Sequence, residues 1–349
     1  MLLSICMKAT TWARDSHGLF DYESKQVYKK HLRTTKDSQI VMTGNDVDLL
    51  TESSTTESLE EKKTLAKLKS SETGFELVAS EQEPAWLVVR SLNENKRSRG
   101  YNLTKGTVLK VGRVTLKVKA IHNLAEETSC IEMPPAKPGS ICKVCLTEFE
   151  KQEDPLISVC NCSGSMKYIH YNCLQKWVSS RVVTKEGEDS VCYFWKNIDC
   201  EICKEPLPLK VSYEGKNYSI FTTNHLDEPF IALEGCFSQN KKGERGIHVI
   251  AMTNRCQVKL GRGHESDVRI SDISVSRLHA VIKYENGQFV IEDYKSKFGT
   301  LVMLDKDKKL HENERFAIQS GRTVIQLSVV PDSFKGYGQD LPWEEISEM

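Results

Sequence analysis

Cysteine and histidine residues are concentrated between Cys142 and Cys203 in a pattern typical of metal ligands. Three pairs have two residues between the partners, and a fourth pair has one. The eight residues are Cys142, Cys145, Cys160, Cys162, His170, Cys173, Cys200 and Cys203. Thiolates and neutral imidazoles suit tetrahedral zinc, and short spacings let one turn present two ligands to one ion. Eight ligands fill two closed sites, so the pattern predicts two structural zinc ions and no catalytic metal.

The order of the ligands indicates how they are shared between the ions. If successive pairs alternate, the first ion takes Cys142, Cys145, His170 and Cys173, and the second takes Cys160, Cys162, Cys200 and Cys203. Ligand order alone does not separate a RING-type domain from a PHD-type histone reader, because both can have histidine as the fifth ligand. Four tight pairs within about sixty residues disfavour a third interpretation, scattered core thiols.

Local features around the ligands resemble the RING-CH family of ubiquitin ligases over about residues 140–208. Only one residue separates Cys160 from Cys162, and seven residues separate Cys162 from His170. Trp177 follows Cys173 within a predicted helix, whereas a PHD finger carries its tryptophan just before the last cysteine pair. These features favour RING-CH over PHD.

The resemblance implies ubiquitin transfer by positioning, without a nucleophile or catalytic acid of the domain's own. Such a domain docks a ubiquitin-conjugating enzyme that carries ubiquitin. By position, the docking residues are Val144, Trp177 and Pro206, and Lys204 takes the place of a cationic residue that contacts both enzyme and ubiquitin. Core packing of Val144 and Trp177, and a plain solvated charge at Lys204, are the alternatives.

A second set of polar residues interrupts strand-like runs near the C-terminus. Arg262, Ser276, Arg277 and Lys297 supply cations and a hydroxyl, a donor set suited to a phosphate dianion. They fall in loops between alternating apolar runs, and loops at one end of a sandwich often carry binding residues. No histidine–nucleophile pairing suggests hydrolysis of the phosphate.

This arrangement resembles the forkhead-associated (FHA) domain over about residues 245–331. The resemblance implies that Arg262 and Ser276 contact phosphothreonine and that Arg277 neighbours the peptide. It gives structural roles to Gly261, His279 and Gly299. Where the family commonly has asparagine before this last glycine, the chain has Phe298, which removes hydrogen bonds to the peptide.

Composition limits the remaining possibilities. Lys plus Arg equals Asp plus Glu at 48 each, so no charge excess indicates nucleic acid or a membrane surface. Outside the zinc pattern five cysteines are scattered, which disfavours a disulfide framework and favours a reducing compartment. No apolar run is long enough for a signal peptide or a spanning helix. The sequence predicts a soluble cytoplasmic or nuclear protein that neither binds nucleic acid nor inserts into a membrane.

The predicted fold is mainly β with a small α+β zinc module. A cross-braced RING-CH domain precedes an FHA-type β-sandwich and follows a small β unit and a disordered N-terminal segment. The expected divisions are 1–74 (largely disordered, rich in Ser, Thr, Glu and Lys), 75–133 (a small β unit, possibly FHA-like), 134–209 (RING-CH), 210–244 (a β-rich connector), 245–331 (FHA) and 332–349 (a tail). The run around Gly112-Arg113 also resembles the run around Gly321-Arg322, through a weak internal repeat or by chance.

The sequence therefore predicts a ubiquitin ligase that recruits phosphothreonine-containing substrates. The competing hypothesis is a non-enzymatic, zinc-stabilised scaffold that binds phosphorylated partners. A chromatin reader of the PHD type would need an aromatic cage for methyl-lysine, which the spacing of the aromatic residues does not favour.

Overall fold

The chain forms two compact units. The structure, a computed structural model, describes residues 2–14, 18–51, 62–78, 84–94, 100–122, 131–148, 154–187, 190–196, 199–205, 207–208, 210–220, 229–236, 246–252 and 257–334. Unit 1 comprises residues 1–118 and 257–349, and unit 2 comprises residues 119–256. Across the described part of the chain, every helix is too short or too polar to cross a membrane.

Strands dominate both units. Before the zinc ligands they are β1 (Leu3–Trp12), β2 (Val27–Thr34), β3 (Ser38–Thr43), β4 (Asp46–Leu50), β5 (Lys63–Ser71), β6 (Gly74–Val78), β7 (Trp86–Val88), β8 (Tyr101–Leu103), β9 (Val108–Val111), β10 (Val114–His122) and β11 (Ile131–Glu132), with a short 3-10 helix at Val89–Glu94. Unit 2 continues with β12 (Leu156–Ile157), a 3-10 turn at Gly164–Met166, β13 (Ile169–His170), α1 (Tyr171–Ser179), β14 (Val182–Glu186), β15 (Ser190–Lys196), β16 (Lys210–Tyr213), β17 (Lys216–Ser219), β18 (Phe230–Cys236) and β19 (Gly246–Met252). The chain ends with β20 (Gln257–Gly261), β21 (Val268–Arg269), β22 (Ala280–Glu285), β23 (Gln288–Asp293), β24 (Thr300–Met303), β25 (Lys308–His311), β26 (Arg315–Ser320) and β27 (Thr323–Pro331).

Unit 1 is built from three sheet regions. One has the strand order β2-β1-β27-β26-β7-β24-β9-β10, the second β21-β20-β22-β23-β8 and the third β4-β3-β5-β6-β25. Nearly every residue of β1 and β27 is buried, which fits their central positions. Phe289, Leu109 and Met7 are among the largest fully buried side chains of this unit.

The structure corrects the expectation that residues 1–74 are largely disordered. The described part of this region contains strands β1 to β5 and the first residue of β6. Apolar residues recur within the polar composition, and Ile40, Val47, Leu65 and Leu68 are all buried. Strand β1 gains its partner β27 from the other end of the chain, with Leu3 opposite Pro331. Composition underestimates order here because the stabilising contacts are distant in sequence. Residues 52–61, the centre of the polar stretch, lie outside the described residues.

The division into a 75–133 unit and a 245–331 domain is also corrected. Strand β7 pairs with β24 and β26, and β8 pairs with β23, so these early strands belong to the same sandwich as the C-terminal ones. The two similar runs form two hairpins, each turning at a glycine of positive φ, Gly112 at 60° and Gly321 at 57°. A glycine-first turn of two residues accounts for the similarity.

Unit 2 extends beyond the predicted 134–209 and takes up the connector. Strand β16 pairs with β11 and β17, and the Tyr218 ring packs edge-on against Tyr171 of α1, with centroids 5.0 Å apart. Strand β19, expected in the FHA domain, pairs with β15 and β18. The 26 residues between Cys173 and Cys200 include the β14–β15 hairpin, and Cys192 is a buried thiol within it.

A buried ion pair stabilises the loop end of unit 1. The side chains of Arg90 and Asp293 are 3% and 0% exposed, and Arg90 Nη2 lies 2.7 Å from Asp293 Oδ2. Asp293 also accepts hydrogen bonds from Ser296 and Thr300.

We expect Arg90→Ala to lower the free energy of unfolding by about 3–5 kcal/mol, because it leaves a buried carboxylate unpaired. Denaturant titration would measure this. Arg113→Ala, at an exposed pair, is the matched control and should cost under about 1 kcal/mol; equal losses would contradict the prediction.

Candidate zinc centre and phosphate-binding loops

The eight predicted ligands come together as two clusters. One contains Cys142, Cys145, His170 and Cys173, the other Cys160, Cys162, Cys200 and Cys203, with the ligand atoms of each within 4.8 Å of one another. This is the cross-braced grouping. Two backbone N–H groups, those of Val144 and His170, donate to the Cys142 sulfur at 3.4 Å, as expected for a thiolate.

Distances within the clusters fit zinc. The Cys145 sulfur lies 3.2 Å from His170 Nδ1, and the Cys162 and Cys200 sulfurs lie 3.6 Å apart. Tetrahedral zinc with ligand bonds of about 2.0–2.3 Å gives ligand-to-ligand distances of roughly 3.3–3.8 Å, so the sulfur–sulfur distance falls within this range and the sulfur–nitrogen distance just below it. Lys143, within the first Cys pair, places its ammonium 3.7 Å from the Cys160 sulfur of the other cluster.

The crowded sulfur atoms cannot all ionise without a cation. Burial, with the neighbouring sulfurs, raises the pKa of the Cys162 thiol to about 12. Hydrogen bonds with Thr147 lower the pKa of Cys145 to about 6. A divalent ion allows the whole set to deprotonate, because thiolates are the metal-binding form. The residues therefore fit two structural zinc ions.

The two C-x-x-C pairs lie in matching turns. In the first, Leu146 has φ 60° and its N–H donates to the Cys142 carbonyl at 2.9 Å. In the second, Lys204 has φ 61° and its N–H donates to the Cys200 carbonyl at 2.9 Å. Lys204 thus occupies the left-handed position of a zinc turn, with its side chain exposed.

An apolar pocket lies beside the zinc turns. Its lining includes Val144, Met166, Trp177, Ile202 and Leu207. Val144 is 53% exposed and Ile202 56%, although both are large apolar residues. Val144 and Trp177, two of the three predicted docking residues, both line this pocket. The third predicted residue, at position 206, lies outside the described residues, and Leu207 next to it lines the pocket.

Sequence reasoning missed Ile202 and Met166 in this pocket. A signal for Ile202 was present: it occupies in the second C-x-x-C turn the place that Val144 occupies in the first. Trp177 is held by Arg181, whose guanidinium lies 4.4 Å from its ring centre and forms an ion pair with Glu201. These contacts fix the indole at the pocket wall.

The loops of unit 1 bring the predicted phosphate donors together. The Arg262 N–H donates to the Ser276 carbonyl at 3.0 Å, and the Lys297 N–H donates to the Ser276 hydroxyl oxygen at 3.0 Å. Arg262, Arg277 and Lys297 have exposed side chains, and Ser276 is half-buried. These backbone contacts bring three residues with exposed cationic side chains onto neighbouring loops with Ser276, a set of donors that suits a phosphate dianion.

His279 is fully buried and braces these loops. Its Nδ1 accepts the Ser276 N–H at 3.1 Å, and its Nε2 lies 3.1 Å from the Gly299 carbonyl, to which it must donate. Burial lowers the pKa of His279, in keeping with this neutral tautomer. A Cβ on Gly261 would lie 2.0 Å from the Arg277 carbonyl, so the two loops meet only because that residue is glycine.

Residues near the N-terminus also reach these loops, which sequence reasoning did not foresee. The Phe298 ring lies 6.3 Å from that of Trp12 in a cluster with Phe20 and Tyr22. No local sequence pattern predicts the contact between Trp12 and Phe298, which are almost 300 positions apart. Phe298 therefore packs against the protein itself, in the place where the family commonly presents an amide to the peptide.

Two family models match parts of the chain that contain these residues. Residues 142–203 match the model of the RING-variant domain, and residues 258–327 match that of the FHA domain. The first is thus a RING-variant domain, which binds two zinc ions through the clusters above. The FHA match covers only the C-terminal part of the sandwich, since β7–β10 precede the zinc residues.

Several E3 ubiquitin-protein ligases are similar to part of the chain. The chain is 22% identical to an E3 ubiquitin-protein ligase MARCHF7 of Pongo abelii over 44% of this chain and 20% of the relative. It is 34% identical to the ERAD-associated E3 ubiquitin-protein ligase DOA10 of Saccharomyces cerevisiae over 27% of this chain and 7% of the relative. It is 38% identical to an E3 ubiquitin-protein ligase MARCHF8 of Bos taurus over 18% of this chain and 17% of the relative. The chain thus spans at most about a fifth of these relatives' length.

Proposed function

We propose that the protein is a ubiquitin-protein ligase of the RING type, whose zinc unit docks a ubiquitin-conjugating enzyme. The observation that carries the proposal is the apolar pocket between the two zinc turns. Exposed large apolar side chains around a tryptophan mark a partner surface, since single exposed residues are common but clusters are not. The names of the relatives support the same activity.

The proposed chemistry is positioning. The conjugating enzyme carries ubiquitin as a thioester, and the domain holds that thioester where an acceptor lysine attacks it. Rigid zinc turns suit this role because they fix Val144 and Ile202 without a large core. Lys204, exposed beside the second turn, can donate to the conjugating enzyme and to ubiquitin.

Substrate choice is assigned to the FHA domain. Arg262, Ser276, Arg277 and Lys297 form the proposed phosphothreonine site. Because the substrate site and the zinc unit belong to one chain, a bound phosphoprotein is held at a high effective concentration near the conjugating enzyme that carries ubiquitin. Ubiquitin delivery then depends on a threonine kinase.

Trp177→Ala tests the pocket. Removing a central aromatic residue of an interface costs about 2 kcal/mol or more, so autoubiquitination with a panel of conjugating enzymes should fall about 30-fold. Val144→Ala and Ile202→Ala should each lower it less. Val183→Ala is the matched control, because Val183 is 64% exposed in the same unit and does not line the pocket. If zinc-loaded wild-type protein forms no ubiquitin ladder with any enzyme, the scaffold hypothesis takes the place of the ligase.

A further inference from the structure

Residues 19–24, here called the N-terminal strap, lie against the phosphate-binding loops. The Tyr22 N–H donates to the Lys297 carbonyl at 3.0 Å. The Tyr22 ring fills the space beside Gly299, where a Cβ would come within 2.7 Å of it. The Tyr22 hydroxyl donates to Gln319 at 3.1 Å, and its ring packs under the Arg90 guanidinium at 4.2 Å. Tyr22 therefore fixes the strap against the loop that carries Lys297.

Asp21 of the strap faces one of the phosphate-site cations. Its carboxylate lies 3.3 Å from the Lys297 ammonium, and the two side chains are 12% and 47% exposed. The carboxylate is held in place because its other oxygen accepts the Glu23 N–H at 3.0 Å, and the Asp21 carbonyl accepts the Ser24 N–H at 3.1 Å. A fixed anion thus competes for Lys297 beside a site whose other cations are Arg262 and Arg277.

We propose that Asp21 is a specificity-determining residue of the phosphothreonine site, acting through Lys297 as a built-in counter-charge. The inference rests on the proposed phosphothreonine recognition. A phosphate carries about −1.5 to −2 charge at neutral pH and can draw the Lys297 ammonium away from Asp21. A glutamate or aspartate side chain carries one charge and cannot. Asp21 therefore lowers affinity more for a singly charged carboxylate than for a phosphate, and thereby excludes acidic, unphosphorylated peptides.

Asp21→Asn is the direct test, because the amide keeps an oxygen to accept the Glu23 N–H. Fluorescence anisotropy would use the full zinc-loaded chain and two labelled peptide pools, one with phosphothreonine at a fixed position among random neighbours and one with glutamate there. We expect the substitution to strengthen phosphothreonine binding about 5-fold, the upper range for a partly exposed ion pair. It should also make binding of the glutamate pool measurable. Glu23→Gln, which removes an exposed charge from the same strap, should change neither.

A double-mutant comparison separates action through Lys297 from a general field effect. In a Lys297→Ala background, Asp21→Asn should no longer strengthen binding. A gain that persists there, or unchanged or weaker binding in the single variant, overturns the inference while leaving phosphothreonine recognition intact. If neither the wild type nor Asp21→Asn binds the phosphothreonine pool, both the inference and the proposed recognition fail. Binding by Asp21→Asn alone supports the inference, since it shows that Asp21 closes the site.

Discussion

His170→Ala is expected to release one zinc ion and to unfold the surrounding zinc-binding core. The first cluster would keep three sulfur ligands and lose the histidine that joins β13 to the metal. Zinc binding supplies about 10–16 kcal/mol of apparent free energy in small structural sites, far more than a short core of this size can replace. Colorimetric zinc determination should show two ions in the wild type and at most one in the variant. Autoubiquitination should disappear.

His311→Ala is the control for this prediction, because His311 is an exposed histidine on β25 of unit 1. That variant should keep both zinc ions. A chelator should act on the wild type as His170→Ala does and expose unit 2 to proteolysis. Retention of two zinc ions and of ligase activity in His170→Ala would show that the clusters are assigned wrongly.

Arg262→Ala is expected to abolish most phosphopeptide binding. Its exposed guanidinium is a forked donor on a loop whose backbone bonds that of Ser276, and hydrogen bonds to charged groups contribute about 1.5–3 kcal/mol each. Loss of two such bonds corresponds to an affinity loss of about 100-fold or more. Isothermal titration calorimetry with a phosphothreonine peptide selected from the random pool would measure it.

Arg262→Lys should recover only part of the affinity, because an ammonium cannot bind phosphate through a planar fork. Lys309→Ala removes an exposed cation from β25 and should leave the dissociation constant nearly unchanged. Equal losses in Lys309→Ala and Arg262→Ala would indicate that peptide binding follows overall charge instead of a site.

The zinc unit could be predicted from sequence because its information is local. The two members of each ligand pair are two or three positions apart, so one turn fixes both. Only the sharing of alternate pairs between the two ions depends on contacts that are distant in sequence. The FHA loops were predictable for the same reason: Gly261-Arg262 and Ser276 to His279 are short motifs. Their donors meet through backbone hydrogen bonds between neighbouring loops.

Domain boundaries and the N-terminal half could not be predicted in the same way. Whether β1 is a strand depends on β27, and whether β7 belongs to the sandwich depends on β24. The run around Gly112-Arg113 forms strands, as predicted, but its pairing with β24 was not predicted. Asp21 and Tyr22 carry no motif at all, and their place beside Lys297 follows from tertiary packing alone.

The pairing of β1 with β27 also sets the time at which β1 can be completed by its partner strand during synthesis. Leu3 pairs with Pro331, so a ribosome adding about 5–20 residues per second completes the partner strand on the order of tens of seconds after the first. Strand β2 covers one side of β1 early, but the other side presents unpaired backbone groups throughout this interval. Residues 119–256 emerge before β27 and can close around zinc in the meantime. We therefore expect the nascent chain to need chaperone protection for β1 after its zinc unit is already complete.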